Sequence, residues 1–114
     1  TTAPVILPNG GPAGGPCLQL VKKGYFVFQL QGLTPNTIYA ATANTRGVWF
    51  RFGSAGSGYR TDHISINSPA KFVRRMIGFT TGPAATSGEI YFSVPADGRQ
   101  VLIDAVEVRR VELR

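Results

Sequence analysis

The stretch that decides the fold is residues 89–113, which read EIYFSVPADGRQVLIDAVEVRRVEL. Two segments in it, 90–94 and 101–108, are rich in β-branched and aromatic residues and lack helical spacing, so both are predicted strands. Residues 95–98, Pro-Ala-Asp-Gly, have the composition of a tight turn, because proline fixes φ and Asp-Gly tolerates positive φ. The pattern predicts a β-hairpin, and a two-stranded hairpin needs a second sheet to pack against.

Segments of the same kind recur along the chain, separated by turn-forming residues. They are residues 18–21, 25–31, 37–45, 48–52, 64–66 and 71–80. Phe26, Phe28 and Leu30 recur at the period of two that a strand requires. Residues 53–58, made of Gly, Ser and Ala, predict a loop with no capacity to pack, which is either mobile or ordered by a partner. A slip in the alternation predicts a β-bulge near Arg109. The expected fold is all-β, an antiparallel β-sandwich of about eight short strands.

The first 16 residues form a segment of different composition. Prolines at four-residue intervals and the glycines and asparagine of residues 9–15 exclude a helix and disfavour a central strand. Val5, Ile6 and Leu7 are nevertheless apolar, so the segment is expected to lie along another surface. Two interpretations stay open: an edge strand of this domain's own sheet, or an arm laid on a neighbouring subunit. Residues 17–114 are predicted to form one β-sandwich domain.

Composition and charge exclude several classes of protein. The 114 residues are 43% hydrophobic and 16% charged, which excludes a disordered chain. No apolar run approaches the roughly 20 residues of a membrane span, so no membrane contact is expected. The net charge is +6, and no acidic residue precedes Asp62, which predicts contact with a polyanion or an acidic protein surface. The single cysteine, Cys17, excludes an intramolecular disulfide and is expected to be buried.

Three segments resemble jelly-roll carbohydrate-binding modules. Residues 30–39, LQGLTPNTIY, are similar to the family's Gly-Leu-x-Pro-x-Thr-x-Tyr turn and strand, residues 101–108 resemble its closing strand, and residues 6–11 its opening segment. The resemblance implies a jelly roll, a fold similar to that of the cement or decoration proteins of some tailed-phage capsids. Together with the composition of residues 1–16, the expected fold is a jelly-roll β-sandwich with an extended N-terminal Pro/Gly arm. Family members often hold a structural calcium with an early glutamate near the closing aspartate. Residues 11–13 are Gly-Pro-Ala, so no metal is predicted and Asp104 is expected to accept a hydrogen bond.

Catalytic chemistry finds little support in the residues. His63, the single histidine, stands beside Asp62, and the chain has no nucleophile-elbow sequence. Glu89 with Asp104 or Glu107 would place two carboxylates on neighbouring strands without a cleft. The chain is therefore predicted not to be an enzyme and to require no cofactor.

The main functional prediction is a structural protein that binds protein. By analogy of fold, it is a cement or decoration protein on the capsid exterior that clamps the major capsid protein of a phage, as a homo-oligomer with a dimer favoured. Nucleic acid is not the expected partner, because residues 71–75 lack the repeated strand aromatics of single-strand binders. The predicted contacts are an apolar arm of Val5, Ile6 and Leu7, and a basic and aromatic surface of Trp49, Arg51, Tyr59, Arg60, Lys71, Arg74 and Arg75.

The alternative is a carbohydrate-binding module, either free-standing or part of a phage tail, receptor-binding or glycan-degrading assembly, with an extracellular location. Sugar binding usually requires aromatic rings that stack on pyranose faces and polar groups that reach the hydroxyls. Trp49 is on the outward side of its predicted strand, opposite to Phe50 and Phe52. The candidate aromatic residues are Tyr25, Tyr39, Trp49 and Tyr59.

Overall fold

The computed structural model describes residues 3–58, 61–95 and 100–112, without the side chains of Val48 and residues 61–69. In these ranges the chain forms seven strands and no helix, and therefore no helix able to cross a membrane. The strands are β1 (Val5–Leu7), β2 (Cys17–Val21), β3 (Tyr25–Leu30), β4 (Ile38–Ala55), β5 (Thr61–Thr80), β6 (Gly88–Ser93) and β7 (Gln100–Arg110). The predicted all-β class is confirmed.

The strands form two antiparallel layers because the two longest strands belong to both. β4 and β5, of 18 and 20 residues, pair with each other through nearly their whole length. The first half of β4 also pairs with β7, and the second half pairs with β6. One layer, the β7 layer, has the order β1-β2-β7-β4-β5, and the other, the β3 layer, has the order β3-β6-β4-β5. The predicted antiparallel β-sandwich is confirmed.

Register shifts mark the place where β4 passes from one layer to the other. They occur between Thr45 and Gly47 and between Val48 and Phe50. Trp49, which lies within the second shift, has a left-handed φ of 58°. Irregular pairing of this kind bends a strand and increases its local twist. The two predicted strands at residues 37–45 and 48–52 are therefore one bent strand. Residues 64–66 and 71–80 are likewise parts of the single strand β5.

The core lies between the layers and is dominated by aromatic and branched side chains. Phe50, Phe52 and Phe92 are fully buried, and the rings of Phe52 and Phe92 stack with centroids 4.6 Å apart. Burying a side chain of this size contributes about 1.5–3 kcal/mol to stability. Phe26 and Phe28 pack against this core from the edge strand β3, which agrees with the alternation read from the sequence.

The predicted hairpin of residues 90–108 is wrong, although both of its strands exist. In the described residues β6 pairs with β3 and β4, whereas β7 pairs with β2 and β4, so the two strands lie in different layers. Among the described residues, β6 and β7 are therefore not hydrogen-bonded to each other. Residues 96–99, which include most of the predicted turn, lie outside the described residues.

The prediction that residues 53–58 form a loop with no capacity to pack is wrong for residues 53–55, which belong to β4, and for Ser57, which is buried. Gly53 and Ser54 belong to β4 and are buried, and Ser57 is 1% exposed. The carbonyl of Ser57 accepts a 2.8 Å hydrogen bond from the Gly82 amide, and a Cβ on Gly58 would lie 2.7 Å from Gly82 Cα. Small residues allow two backbone segments to approach closely here, which is why this composition is packed.

The N-terminal segment lies along its own domain. Leu7 pairs with Cys17 and Val5 pairs with Gln19, so β1 is the edge strand of the β7 layer. A Cβ on Gly10 would lie 2.9 Å from Cys17 Sγ, so the turn after β1 packs on β2. Cys17 is buried, as predicted.

The bulge in the last strand lies earlier than predicted. The register of β7 against β4 shifts between Asp104 and Glu107, and Ala105 has a φ of 52°. No shift occurs at Arg109, which pairs in register with Ala40. The extra residue at Ala105 shifts the alternation by one position. Ile103 before the bulge and Val106 and Val108 after it therefore all pack toward the core.

Candidate functional site

The outer face of the β3 layer carries a regular array of side chains from three strands. The register aligns β3, β6 and β4 in three rows, and we call this array the Tyr25 face. Its members are Tyr25, Ser93 and Arg51 in the first row, Val27, Tyr91 and Gly53 in the second, and Gln29, Glu89 and Ala55 in the third. Standard strand geometry gives the array a size of about 13 by 10 Å. A face of this size fits a short oligosaccharide.

Two tyrosine rings and one glycine organise the middle of the Tyr25 face. The rings of Tyr25 and Tyr91 are nearly parallel, at 20°, with centroids 6.1 Å apart. The Tyr91 ring leans across β4, because a Cβ on Gly53 would lie 2.6 Å from its Oη and 2.7 Å from its Cζ. Tyr91 is 5% exposed and Tyr25 is 43% exposed. Tyr91 is therefore a buried support, and Tyr25 presents the accessible ring.

Polar groups surround this pair of rings. Arg51 and Gln29 are exposed, and Ser93 and Glu89 are half-buried. The Tyr91 hydroxyl is buried and has no hydrogen-bond partner in the part of the chain that the structure describes. An accessible aromatic ring flanked by guanidinium, amide, hydroxyl and carboxylate groups has the donors, acceptors and stacking surface that sugar recognition uses.

The aromatic residues predicted for sugar binding occupy different environments. Tyr25 lies on the face just described. Trp49 is 62% exposed and precedes Arg51 by two residues, at the bend of β4. The prediction that Tyr39 binds sugar is wrong. Tyr39 is 8% exposed, and its ring stacks on that of Phe79 with centroids 5.5 Å apart. Its Oη accepts a 2.9 Å hydrogen bond from the Thr34 amide. A ring held in the core in this way cannot stack on a ligand. Tyr59 lies outside the described residues.

The predicted basic surface is divided between separate parts of the molecule. Arg51 lies on the Tyr25 face, whereas Arg74 lies on the β7 layer, where it contacts Glu107 at 3.4 Å. Arg75 pairs with buried Ala43, and its Nε is buried without a hydrogen-bond partner among the described residues. Lys71 is exposed. Arg60 lies outside the described residues. The basic side chains of the described part therefore do not form one patch.

An open cleft of about 270 Å³ is lined by residues of both layers, from β1, β2 and β7 of one layer and β3 of the other. Its lining is mainly apolar and includes Ile6, which is 71% exposed, together with Phe28 and Asp104. Burial, and secondarily the charge of Asp104, raises the pKa of the Cys17 thiol that also lines the cleft. Three or more His, Cys, Asp or Glu residues placed to hold a metal ion do not occur together in the described ranges.

Most of the Tyr25 face was not predicted from the sequence. Tyr91 was assigned to an apolar strand and Gly53 to a loop, because neither residue carries a local signal of function. The alternation in Ile90-Tyr91-Phe92 does place Tyr91 opposite to its two apolar neighbours, which indicates an outward ring. The contact with Gly53 depends on the pairing of β6 with β4, which no local pattern encodes.

Comparison with known proteins gives matches in structure alone. Neither the scan against protein-family models nor the search of curated proteins found a match. The CBM22-1 xylan-binding domain from Paenibacillus barcinonensis Xyn10C matches at a TM-score of 0.70 and 13% identity, over 97% of this chain and 82% of that one. The Clostridium thermocellum xylanase 10B CBM22-1–GH10 modules, complexed with xylohexaose, match at 0.71 and 10% identity, over 96% of this chain.

A phage protein has the same fold in part of its chain. The enzymatically active domain of Bacteriophage CBA120 tailspike protein 4 matches at a TM-score of 0.67 and 16% identity, over 97% of this chain. The chain spans 18% of the tailspike structure and 24% of the xylanase structure. These likenesses show that the chain has the jelly-roll-like β-sandwich fold of carbohydrate-binding modules.

Proposed function

We propose that this protein is a non-catalytic carbohydrate-binding module whose ligand lies on the Tyr25 face. The observation that carries the proposal is the accessible Tyr25 ring, which stacks on Tyr91 and shares the outer face of β3, β6 and β4 with Arg51 and Gln29. A sugar ring stacks on Tyr25 through its apolar face, and its hydroxyls bond to the surrounding polar groups.

Two further considerations support the proposal. The fold is shared with modules whose structures include a bound xylohexaose and a xylan-binding domain. Likeness to parts of larger xylanase and tailspike chains supports the idea of a module within a glycan-directed assembly. We expect an extracellular or virion-exterior location, where such polymers occur.

The test is a glycan array followed by calorimetric titration of each ligand found. Tyr25→Ala removes the accessible ring, and loss of stacking of about 0.5–1.5 kcal/mol weakens binding roughly twofold to tenfold. Trp49→Ala is the matched comparison, since Trp49 is exposed at the bend of β4 and is not a member of the Tyr25 face. Unchanged affinity in Tyr25→Ala, with loss in Trp49→Ala, would move the site away from the Tyr25 face.

The capsid-cement hypothesis is the second candidate, and one observation favours it. Val5 and Ile6, on the edge strand β1, are 53% and 71% exposed, and apolar edge residues are typical of contacts with another protein. None of the three similar structures named for this fold is a capsid protein, so this hypothesis rests on the exposed edge of β1.

The two candidates predict different results when β1 is altered. Val5→Ser with Ile6→Ser removes the apolar edge and leaves the Tyr25 face intact, so glycan binding is retained while capsid binding and any dimer are lost. Sedimentation of the protein with capsids measures capsid binding, and sedimentation of the protein alone measures the dimer. Retention of capsid binding by this variant argues against the β1 contact.

A further inference from the structure

We infer that the ligand of the Tyr25 face is an anionic glycan, with a carboxylate or sulfate group bound by Arg51. The inference rests on the proposed glycan-binding function and adds the chemical class of the ligand. It depends on where the charges of this face lie relative to the accessible ring.

Arg51 stands in the same row as Tyr25, on the other side of Ser93. Two strand spacings separate the two positions, which is about 10 Å between backbones. Arg51 is exposed, and it forms no ion pair or hydrogen bond with another residue in the described part of the chain. A sugar stacked on Tyr25 therefore has beside it a guanidinium that no described side chain pairs with, within reach of an acidic substituent.

The acidic residue of the face is too far away to neutralise Arg51. Glu89 lies two rows from Arg51, which is about 13 Å along the strands. This separation exceeds the Debye length of about 8 Å at physiological ionic strength, so the two charges are largely screened from each other. Lys23, exposed in the turn immediately beyond the first row, adds positive charge at the same end.

The chemistry of arginine favours an oxyanion over a neutral hydroxyl. The guanidinium presents parallel N–H donors that match a carboxylate or sulfate in a bidentate arrangement. The chain as a whole carries a net charge of +6, which raises the encounter rate with a polyanionic polymer. A neutral glycan can stack on Tyr25 and bond to the polar groups through its hydroxyls, but it gains no charge-assisted hydrogen bond from Arg51.

The experiment titrates three probes by calorimetry: an oligogalacturonate, the same oligosaccharide with its carboxyl groups reduced to alcohols, and a sulfated galactan oligosaccharide. The variants are Arg51→Gln, Arg51→Lys and the charge-matched control Arg110→Gln, which is exposed on β7 in the other layer. Circular dichroism confirms that each variant is folded. Titration at low and high salt measures the electrostatic part of the affinity.

We expect the wild type to bind at least one anionic probe about tenfold to a hundredfold more tightly than the neutral probe, the range for a charge-assisted hydrogen bond. Arg51→Gln removes this preference, Arg51→Lys retains part of it, and Arg110→Gln retains all of it. Preference for the sulfated or the carboxylated probe identifies the anionic group.

Three results overturn the inference in distinguishable ways. Equal affinity for neutral and anionic probes, with binding lost in Tyr25→Ala, overturns the anionic class and leaves the glycan-binding function standing. Absence of binding to every probe and to the whole glycan array overturns both. An anionic preference that Arg110→Gln lowers as much as Arg51→Gln overturns the assignment to Arg51, because only net charge is then involved.

Discussion

Replacing Gly53 with alanine tests the central contact of the Tyr25 face. The added Cβ would lie 2.6 Å from Tyr91 Oη, 2.7 Å from Cζ and 2.9 Å from Cε2, so the ring must move. Overpacking of a well-packed site costs about 1–3 kcal/mol. Replacing glycine also lowers the conformational entropy of the unfolded chain, which stabilises the folded protein by about 0.4–1 kcal/mol. The net destabilisation is then roughly 1.5 kcal/mol.

The measurement is thermal and urea unfolding of Gly53→Ala beside a matched Gly→Ala variant on β5. For a domain of this size about 1 kcal/mol corresponds to roughly 4 °C, so we expect Tm to fall by about 6 °C. Gly78→Ala is the control, because its Cβ would meet nothing closer than the Tyr39 carbonyl oxygen at 3.9 Å. That variant should be neutral or more stable by up to about 1 kcal/mol.

A double-mutant cycle identifies the source of the cost. In a Tyr91→Ala background the ring is absent, so Gly53→Ala should no longer destabilise the protein. Displacement of Tyr91 also removes the support of Tyr25, so Gly53→Ala should weaken glycan binding in the wild-type background. If Gly53→Ala is as stable as Gly78→Ala, the Tyr91 ring does not lie over β4 and the reasoning fails.

Three further predictions concern buried polar groups. Tyr91→Phe removes a buried hydroxyl that has no hydrogen-bond partner among the described residues. The free energy of unfolding in urea should therefore stay equal or rise by up to about 1 kcal/mol. A fall of about 1 kcal/mol or more would mean that the hydroxyl is hydrogen-bonded. Thr81→Val deprives the Thr37 amide of its 2.9 Å acceptor and should cost about 1–3 kcal/mol, whereas exposed Thr80→Val should cost little. Burial raises the pKa of the Cys17 thiol above 9.0, so the unfolded state loses the thiol proton at a lower pH than the folded state. The free energy of unfolding should therefore fall as pH rises above 9.0. Cys17→Ala should abolish that part of the pH dependence.

Local patterns were sufficient to predict the strands and the faces they bury. The alternation of Phe26, Phe28 and Leu30 indicated the apolar side of β3, and these residues do pack against the core. In β4 the same reasoning predicted inward Phe50 and outward Trp49, which are fully buried and 62% exposed. Burial follows side-chain chemistry at a fixed period, so it can be read from a short segment.

Pairing between strands could not be predicted in the same way. A turn composition such as that of residues 95–98 indicates that the chain changes direction, but it does not specify whether the next strand joins the same layer. β6 and β7 joined different layers because β3 and β4 flank β6, while β2 and β4 flank β7. The Tyr25 face has the same origin, since three strands distant in sequence supply it and their register is a property of the whole fold.

The ribbon of β4 and β5 has a mechanical consequence. Because both strands continue from one layer into the other, sliding the layers over each other would rupture backbone hydrogen bonds at the bend. A sandwich whose layers touch only through side chains has no such restraint. A domain pulled between a polymer on one side and the rest of an assembly on the other would therefore resist shear through its main chain.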